Sequence, residues 1–349
     1  MAIDWTAPMR RWARYHRVDP STWGDMGPID GIEGCTIVRD ESLPTMGNAT
    51  FQMQWLPDEV WIRAYMMAEQ DGESARVALG TFCVPPGERA WDGMRTSTSV
   101  AGYTALHELA GDGPPYGYTT AAGDVLAAAA SICRLHGRAP VVAPSAAAPI
   151  SEPHSCGEDG QTWIGYVREL LALVSYEVSL DPFGRISFEP ARDASALSPV
   201  RWLQASADSI LLPDVRDAGT RADVPNVVEV RYSTPSSCLV SRAVDSDPAS
   251  PTSTASRGRI VRKLVTNPDL PDSPTQSDVD ACAARILRDE MSSMRTVTVP
   301  HGYDPDVYIG RGLGLYVPDA GFDISGRVTA QSFPCTPAFP VTSSISYRP

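Results

Sequence analysis

The sequence predicts a mainly β chain of the α+β class, with a helix-helix-hairpin unit set into its middle. Three observations carry this. Proline is high, at 31 of 349 residues, about 9% against roughly 5% in average chains, which favours turns and short strands. The first hundred residues alternate apolar and polar positions in short runs broken by turn residues. Two stretches further on switch to helical spacing, and the alternation then returns.

Each element follows in order. CTIVRD (Cys35 to Asp40) and ATFQMQW (Ala49 to Trp55) alternate and flank the turn-rich ESLPTMGN. Val60 to Met67 and Val77 to Val84 predict a hairpin turning at Asp71-Gly72. Consecutive antiparallel strands with tight turns predict a small barrel or sandwich. Val125, Leu126, Ala129, Ile132, Cys133 and His136 then recur at helical spacing. Thr120 is the expected N-cap, Asp124 falls in the first turn and Gly137 is the stop. A second helix is predicted from about Trp163 to Ser175, with Trp163, Val167, Leu170, Leu171 and Val174 on a wide apolar face. It feeds a hairpin whose turn is DPFG, Asp181 to Gly184, where proline presets the turn and glycine takes the positive φ.

Strands return at Asn226 to Tyr232 and at Arg259 to Val265. A third helix is expected with Ser277 as its cap and Val279, Ala283, Ile286 and Leu287 on one face. RTVTVP, GLGLYVPD and ISGRVTAQSF close the chain as strands. The connection DSDPASPTSTASRG, Asp245 to Gly258, has no aliphatic residue larger than alanine and no aromatic. Such a composition predicts an exposed, extended loop. Connections of this length are usually functional or mobile.

The net charge of −13 argues against binding nucleic acid by neutralising phosphates. Cysteines at 35, 83, 133, 156, 238, 282 and 335 are odd in number, scattered and without a CxxC pair. They form neither a disulfide framework nor a zinc pattern and predict folding in a reducing cytoplasm, with most thiols as small buried groups. The first twenty residues carry four arginines and no following apolar segment, unlike a secretory signal. The longest near-apolar run, Val125 to Cys133, is too short to span a bilayer. Contact with a membrane is expected only through partners.

Candidate chemistry is sparse. His154, Cys156, Glu158 and Asp159 make the best metal-like cluster, but a single His-x-Cys in a Pro/Gly-flanked stretch reads as a polar loop before a helix. His136 suits a helix C-terminal end, where a cation is favourable. His107 reads as a helix-face residue, and His301 precedes a turn. GRGLG, Gly310 to Gly314, lacks the lysine and helix of a phosphate cradle and reads as the start of a strand. Glu108 with Asp112, and Asp289 with Glu290, read as solvated faces rather than a glycosidase pair. No catalytic, cofactor-binding or metal residue is assigned. Trp5, Trp12, Trp23, Trp55, Trp61 and Trp91 crowd the first hundred residues, and Trp163 and Trp202 follow. They suit core packing first and an interface second. Arg10, Arg11, Arg14 and Arg17 beside Trp12 and Tyr15 suit an interface arm or a charge-defended edge strand.

Taken in order, several stretches resemble the tail hub proteins of tailed bacteriophages, a family that includes baseplate hubs and the N-terminal part of siphophage tail-associated proteins. They are YHRVDPSTW with GIEGCTIVRDES, IRAYMMAEQDGESARVALGTFCV, VAGYTALHEL, TAAGDVLAAAASIC, DGQTWIGYVRELLALVSYEVSLDPFGRISFEP, and NVVEVRYS followed by AVDSDPASPTSTASRGR and SDVDACAARILRDE. The resemblance covers nearly the whole chain and rests on order and loose patterns rather than a catalytic motif.

It implies two tube-type β-barrel domains, an inserted α+β domain and a peripheral element. Residues 1–105 would form the first barrel, completed by strands from about 205–235. Residues 106–204 would be the insertion, and 205–349 the second barrel, with a long loop at 233–258 and a helix near 277–294. The loop would order against a neighbouring subunit. The implied role is structural and non-enzymatic, without cofactor. A homotrimeric ring would join a sixfold tail tube or distal tail protein to a threefold tip, fibre or spike, at the distal end of the virion tail, after assembly in the host cytoplasm. Its channel would pass tape measure protein and, transiently, DNA. The alternative class is a cell-wall hydrolase or a host-receptor- or carbohydrate-binding tip component.

Overall fold

The computed structural model describes residues 3–347, apart from 92, 95, 157–159, 193–196, 207, 208, 218–222, 235, 236, 251, 269–274 and 292–294. It is mainly β, with 46% strand and 16% helix. Contacts divide the chain into two units, Met1–Val215 with Thr298–Ile345, and Arg216–Val297 with Ser346–Pro349. This division falls differently from the boundaries read in the sequence. The segment 106–204 lies within the first unit, and so do the closing strands up to Ile345.

The first unit begins with β1 (Arg10–Val18), β2 (Asp25–Pro28), β3 (Ile32–Asp40), β4 (Gly47–Gln54), β5 (Val60–Gln70), β6 (Glu73–Val84), β7 (Ala90–Trp91) and β8 (Thr96–Thr104). After the one-turn α1 (His107–Ala110) come β9 (Thr119–Thr120), β10 (Gly123–Asp124) and α2 (Val125–His136). Then follow β11 (Pro149–Ile150), β12 (His154–Ser155), α3 (Trp163–Leu173), the hairpin β13 (Tyr176–Leu180) and β14 (Ile186–Pro190), and β15 (Pro199–Gln204). The second unit holds β16 (Arg216–Asp217), β17 (Val227–Thr234), β18 (Ser237–Val244), α4 (Thr254–Arg257), β19 (Arg262–Thr266) and α5 (Gln276–Met291). The chain closes with β20 (Arg295–Gly302), β21 (Gly312–Val317), β22 (Phe322–Pro334) and β23 (Pro340–Tyr347).

In the first unit the main sheet runs in the order β23-β22-β3-β4-β8-β6-β5-β1-β2. Alternation explains its core. In β4, Ala49, Phe51 and Met53 are buried while Thr50, Gln52 and Gln54 are exposed. They meet Ile37, Ile62, Met66, Phe82, Phe333 and Phe339 in one cluster. Each fully buried aromatic or aliphatic side chain there contributes about 1.5–3 kcal/mol. At the β5-β6 turn, Asp71 and Gly72 take φ of 51° and 83°, a turn whose twist suits the flanking strands.

The arginine-rich β1 has its outer side covered only at its end, so Arg10 to Tyr15 remain on an edge. It pairs with β5 from Arg10 to Val18, and on its other side β2 reaches His16 to Val18. The glycines of the GRGLG segment have a steric purpose. A Cβ on Gly314 would stand 2.4 Å from the Trp202 ring, and one on Gly312 would stand 2.6 Å from the Ser198 carbonyl. Their absence lets β15 lie parallel against β21.

The helices start where a carboxylate or hydroxyl meets an orphan amide, though not always where the sequence pointed. α2 is capped by Asp124, which accepts from the Leu126 amide at 3.1 Å and from the Ala148 amide at 3.0 Å. Thr120 instead lies in β9, with its hydroxyl 2.8 Å from the Tyr166 hydroxyl. Thr162 caps α3 by accepting from the Gly165 amide, and the helix stops at Leu173 because Ser175 turns to φ 57°. At α5 the start is marked by Thr275 rather than Ser277. The Thr275 amide and hydroxyl both donate to Asp278 at 2.8 Å, half of a capping box.

The second unit lays α5 on the sheet β18-β17-β19, in which β18 is antiparallel and β19 parallel to β17. Val279, Ala283 and Leu287 bury against Val228 and Val230. The polar segment from Asp245 corrects the expectation of an extended excursion. Asp245, Thr252 and Ser253 are buried, and α4 forms within the segment. Asn226, fully buried, holds it: its amide donates to the Thr252 and Arg259 carbonyls at 3.1 and 2.9 Å, and its carbonyl accepts from the Val261 amide at 2.8 Å. A segment with no aliphatic residue larger than alanine is held by satisfied polar groups instead. Among the described residues no helix is long and apolar enough to cross a membrane.

Because Asp124 satisfies two amides, Asp124→Ala is expected to lower stability by about 1–2 kcal/mol. Urea denaturation followed by circular dichroism reads this as a lower midpoint with an unchanged slope.

Candidate functional site

The segment 106–204 meets the main sheet of the first unit at two polar anchors, and a cleft lies beside them. The first anchor starts from β5. Its Ile62, Ala64 and Met66 face the core, so Arg63 and Tyr65 point to the opposite face. Arg63 is buried there. Its guanidinium donates to Asp25 Oδ1 at 2.7 Å, to Thr81 Oγ1 at 2.9 Å and to the Trp23 and Phe183 carbonyls at 3.2 and 3.3 Å. The Trp23 indole donates to the same Phe183 carbonyl at 2.7 Å, and Thr81 donates to the Pro182 carbonyl. The DPFG turn is therefore gripped by its backbone. Tyr65 adds a hydrogen bond to the other carboxylate oxygen, Asp25 Oδ2, at 2.7 Å.

The second anchor is Arg327 on β22, which donates to Glu41 at 2.8 Å and to Glu177 of β13 at 2.6 Å. Burial pushes the Glu41 carboxyl up, against the pull of Arg327. Tyr308 adds a bond to the Leu180 carbonyl at 2.9 Å. The cleft, of about 610 Å³, is lined by Glu41, Glu177, Asp181, Asp306, Arg311 and Arg327 among others.

A third polar feature runs through the core. Arg39 donates to the Gln331 carbonyl oxygen at 2.8 Å, and the Gln331 amide donates to Ser343 Oγ at 3.1 Å. Ser343 Oγ lies 2.8 Å from His301 Nε2, and His301 Nδ1 lies 2.7 Å from the Gly302 carbonyl. That carbonyl can only accept, so Nδ1 carries the proton and Nε2 accepts from Ser343. His301, read in the sequence as preceding a turn, is wholly buried in β20. Burial holds its pKa below the ordinary value.

The other residues singled out in the sequence are held in structural contacts. His154 Nε2 stands 2.8 Å from Glu169, while Cys156 donates to Gln161 and Gln161 to Glu169. Glu158 and Asp159 lie outside the described residues. His136 stacks on Trp163 at 3.8 Å and His107 on Tyr103 at 4.2 Å. Glu108 accepts from the Arg138 amide at 2.7 Å, and Asp112 from the Trp163 indole at 3.3 Å, so their carboxylates serve separate contacts. The Asp289 side chain lies outside the described residues. Among the described residues, no group of three or more His, Cys, Asp or Glu stands close enough to hold a metal ion. Trp23, Trp61 and Trp163 are buried, whereas Trp91 and Trp202 are 72% and 46% exposed. Arg63, Arg327 and Asn226 were missed in the sequence. The one signal was for Arg63, a charged residue inside the apolar run VWIRAYMM.

The first unit is thus a mainly β body on which a helix-helix-hairpin segment is fastened by the buried Arg63 and the half-buried Arg327. No family model matches the sequence, and no curated protein matches it. Solved structures do share the fold. A tail protein from Neisseria meningitidis MC58 superposes with a TM-score of 0.64 at 14% identity, covering 96% of each chain. A 43 kDa tail protein of prophage MuSo2 from Shewanella oneidensis gives 0.61 at 14% identity, covering 96% of this chain and 98% of that one. A chain of the Francisella PdpA-VgrG complex gives 0.57 at 9% identity, covering 97% of this chain and 58% of its own length. The chain thus has the fold of phage tail proteins from end to end.

Removing the first anchor's cation leaves Asp25 and the Phe183 carbonyl short of a donor in a buried site. Arg63→Met is expected to cost about 3–5 kcal/mol, read as a lower urea midpoint, with a shift in tryptophan emission from Trp23. Acid stability carries the second expectation. Above pH ~6.5 His301 is neutral in both the folded and unfolded chain, and its contribution is complete. As pH falls below that value the unfolded chain binds a proton that the buried ring refuses. Stability then declines by up to about 1.4 kcal/mol per pH unit, down to the depressed folded pKa. His16, lowered chiefly by burial, acts in the same direction. His301→Gln is expected to flatten this slope by one proton's worth in urea midpoints measured from pH 7 to 5.

Proposed function

We propose that the chain is the structural tail hub of a tailed phage or phage-like particle. Three copies form a ring that joins a sixfold tail tube or distal tail protein to a threefold tip. The ring lines the channel through which tape measure protein and DNA pass. The observation that carries this reading is the match to two tail proteins over at least 96% of every chain compared. A match of that extent takes in the segment 106–204 together with the main sheet.

Two barrel-like modules per chain would let three copies imitate sixfold symmetry, and closed or mutually paired sheets would leave no free edges. The anchors suit such a role, because a ring subunit needs its inserted segment held rigidly against its sheet. The exposed Trp91 and Trp202 are available as interface aromatics. The chain acts without catalysis or cofactor, and its place is the virion tail.

The test is mass in solution and in the particle. Light scattering of the purified chain, alone and mixed with its tail-tube or distal-tail partner, is expected to reach three times the 37.5 kDa subunit mass. Particle reconstruction is expected to place three copies on the tail axis. A monomer in every context would overturn the reading, as would a lysis band in a peptidoglycan gel that one acidic-residue substitution abolished.

A further inference from the structure

β3 and β22 bring two cysteines together that the sequence sets far apart. The strands are antiparallel, with Thr36 opposite Pro334, so Cys35 and Cys335 are the next pair along the ladder. The Cys335 amide donates to the Cys35 carbonyl at 2.8 Å. Cys35 and Tyr15 are buried in one cluster, and Cys335 packs against that same cluster. Directly opposed residues of an antiparallel pair have Cα atoms about 4.5–5.5 Å apart, inside the roughly 4.4–6.8 Å that a disulfide spans. Cys335 lies just past the end of its strand, where the backbone has room to adjust. The other thiols have different surroundings: Cys156 bonds Gln161, Cys238 meets Ser233, and Cys282 meets Arg285.

We propose that Cys35 and Cys335 are a redox pair, reduced in the cytoplasm and joined as a disulfide once the protein meets a small-molecule disulfide oxidant outside it. The step balances. The partly exposed Cys335, as its thiolate, attacks one sulfur of oxidised glutathione, breaks the S–S bond and expels one glutathione thiolate. Cys35 then attacks the Cys335 sulfur and expels the second. One protein disulfide forms, one glutathione disulfide is reduced to two thiols, and the two protons lost by the cysteines end on the two leaving thiolates. The contact with Cys335, together with burial, holds the Cys35 thiol well above the usual thiol range. The first attack therefore belongs to Cys335, and closure speeds up with rising pH. The bond would tie the third strand of the chain to its penultimate strand. It closes a loop of about 300 residues, and in the chain-entropy picture a cross-link restricts the unfolded chain more as its loop lengthens. The proposal does not rest on the tail reading, since the chemistry needs only these two thiols.

The test uses the full chain, incubated with oxidised glutathione at mildly alkaline pH and then denatured and alkylated. Untreated protein is expected to take up label at all seven cysteines. Treated protein is expected to lose two labels and about 2 Da, the two hydrogens removed. A proteolytic peptide should link Cys35 to Cys335, and dithiothreitol should restore both labels. The oxidised form should melt several degrees higher. Cys335→Ser, at a partly exposed position, should leave the reduced protein's melting unchanged and abolish both the label loss and the shift. Three results would each overturn the proposal. One is seven labels retained on a chain that is still folded by circular dichroism. Another is a linked peptide joining any other pair. The third is glutathione left attached at Cys335 while Cys35 still takes label.

Discussion

The first unit depends on a buried guanidinium. Arg63 brings together Asp25 from β2, Thr81 from β6, the Trp23 carbonyl and the Phe183 carbonyl of the inserted hairpin. Burying a charge is costly, and an ion pair in an interior often adds little net stability over apolar packing. What this cation supplies is position. Its donors sit in a rigid planar fork, and the acceptors come from three separate stretches of chain. Only one placement of the DPFG turn on the sheet satisfies them together. A hydrophobic contact there would tolerate sliding by an ångström; this one does not.

The same choice of residue recurs. Lys263 is the only lysine in the chain, and its other permanently cationic side chains are all arginine. Arg39 donates into the core and lies over the Tyr308 and Phe333 rings. Arg327 spans two carboxylates from different elements, and Arg201 pairs with the buried Asp304. Lysine offers one compact charge, whereas arginine offers several directed donors and a flat face that stacks. Arginine therefore fastens segments that share little apolar surface.

Most elements of the first unit were legible because their faces are one-sided. β4 and the Asp71-Gly72 hairpin follow from period-two patterning and turn chemistry, and α3 from its broad apolar face. The caps were less legible, because Thr120 and Asp124 are both acceptable N-cap residues and only the β10-β11 pairing decides between them. The polar segment at Asp245 was misread because composition reports the apolar area available, not the number of hydrogen bonds a single buried asparagine can supply. The anchors were illegible for a related reason. Arg63 sits in a strand buried on both sides, and its partners lie up to 120 residues away. No local pattern encodes a meeting at that separation.

The placement of β3 has a consequence for biosynthesis. One side of that strand is covered by β4, which follows it closely, and the other by β22, which begins only at Phe322. While the ribosome works through the intervening residues, β3 presents an unpaired edge beside a half-built core. Such an edge invites pairing with the wrong chain. Crowded nascent chains are therefore exposed to mispairing until residues 322–334 have emerged, and a chaperone that shields this edge would have to hold it until then.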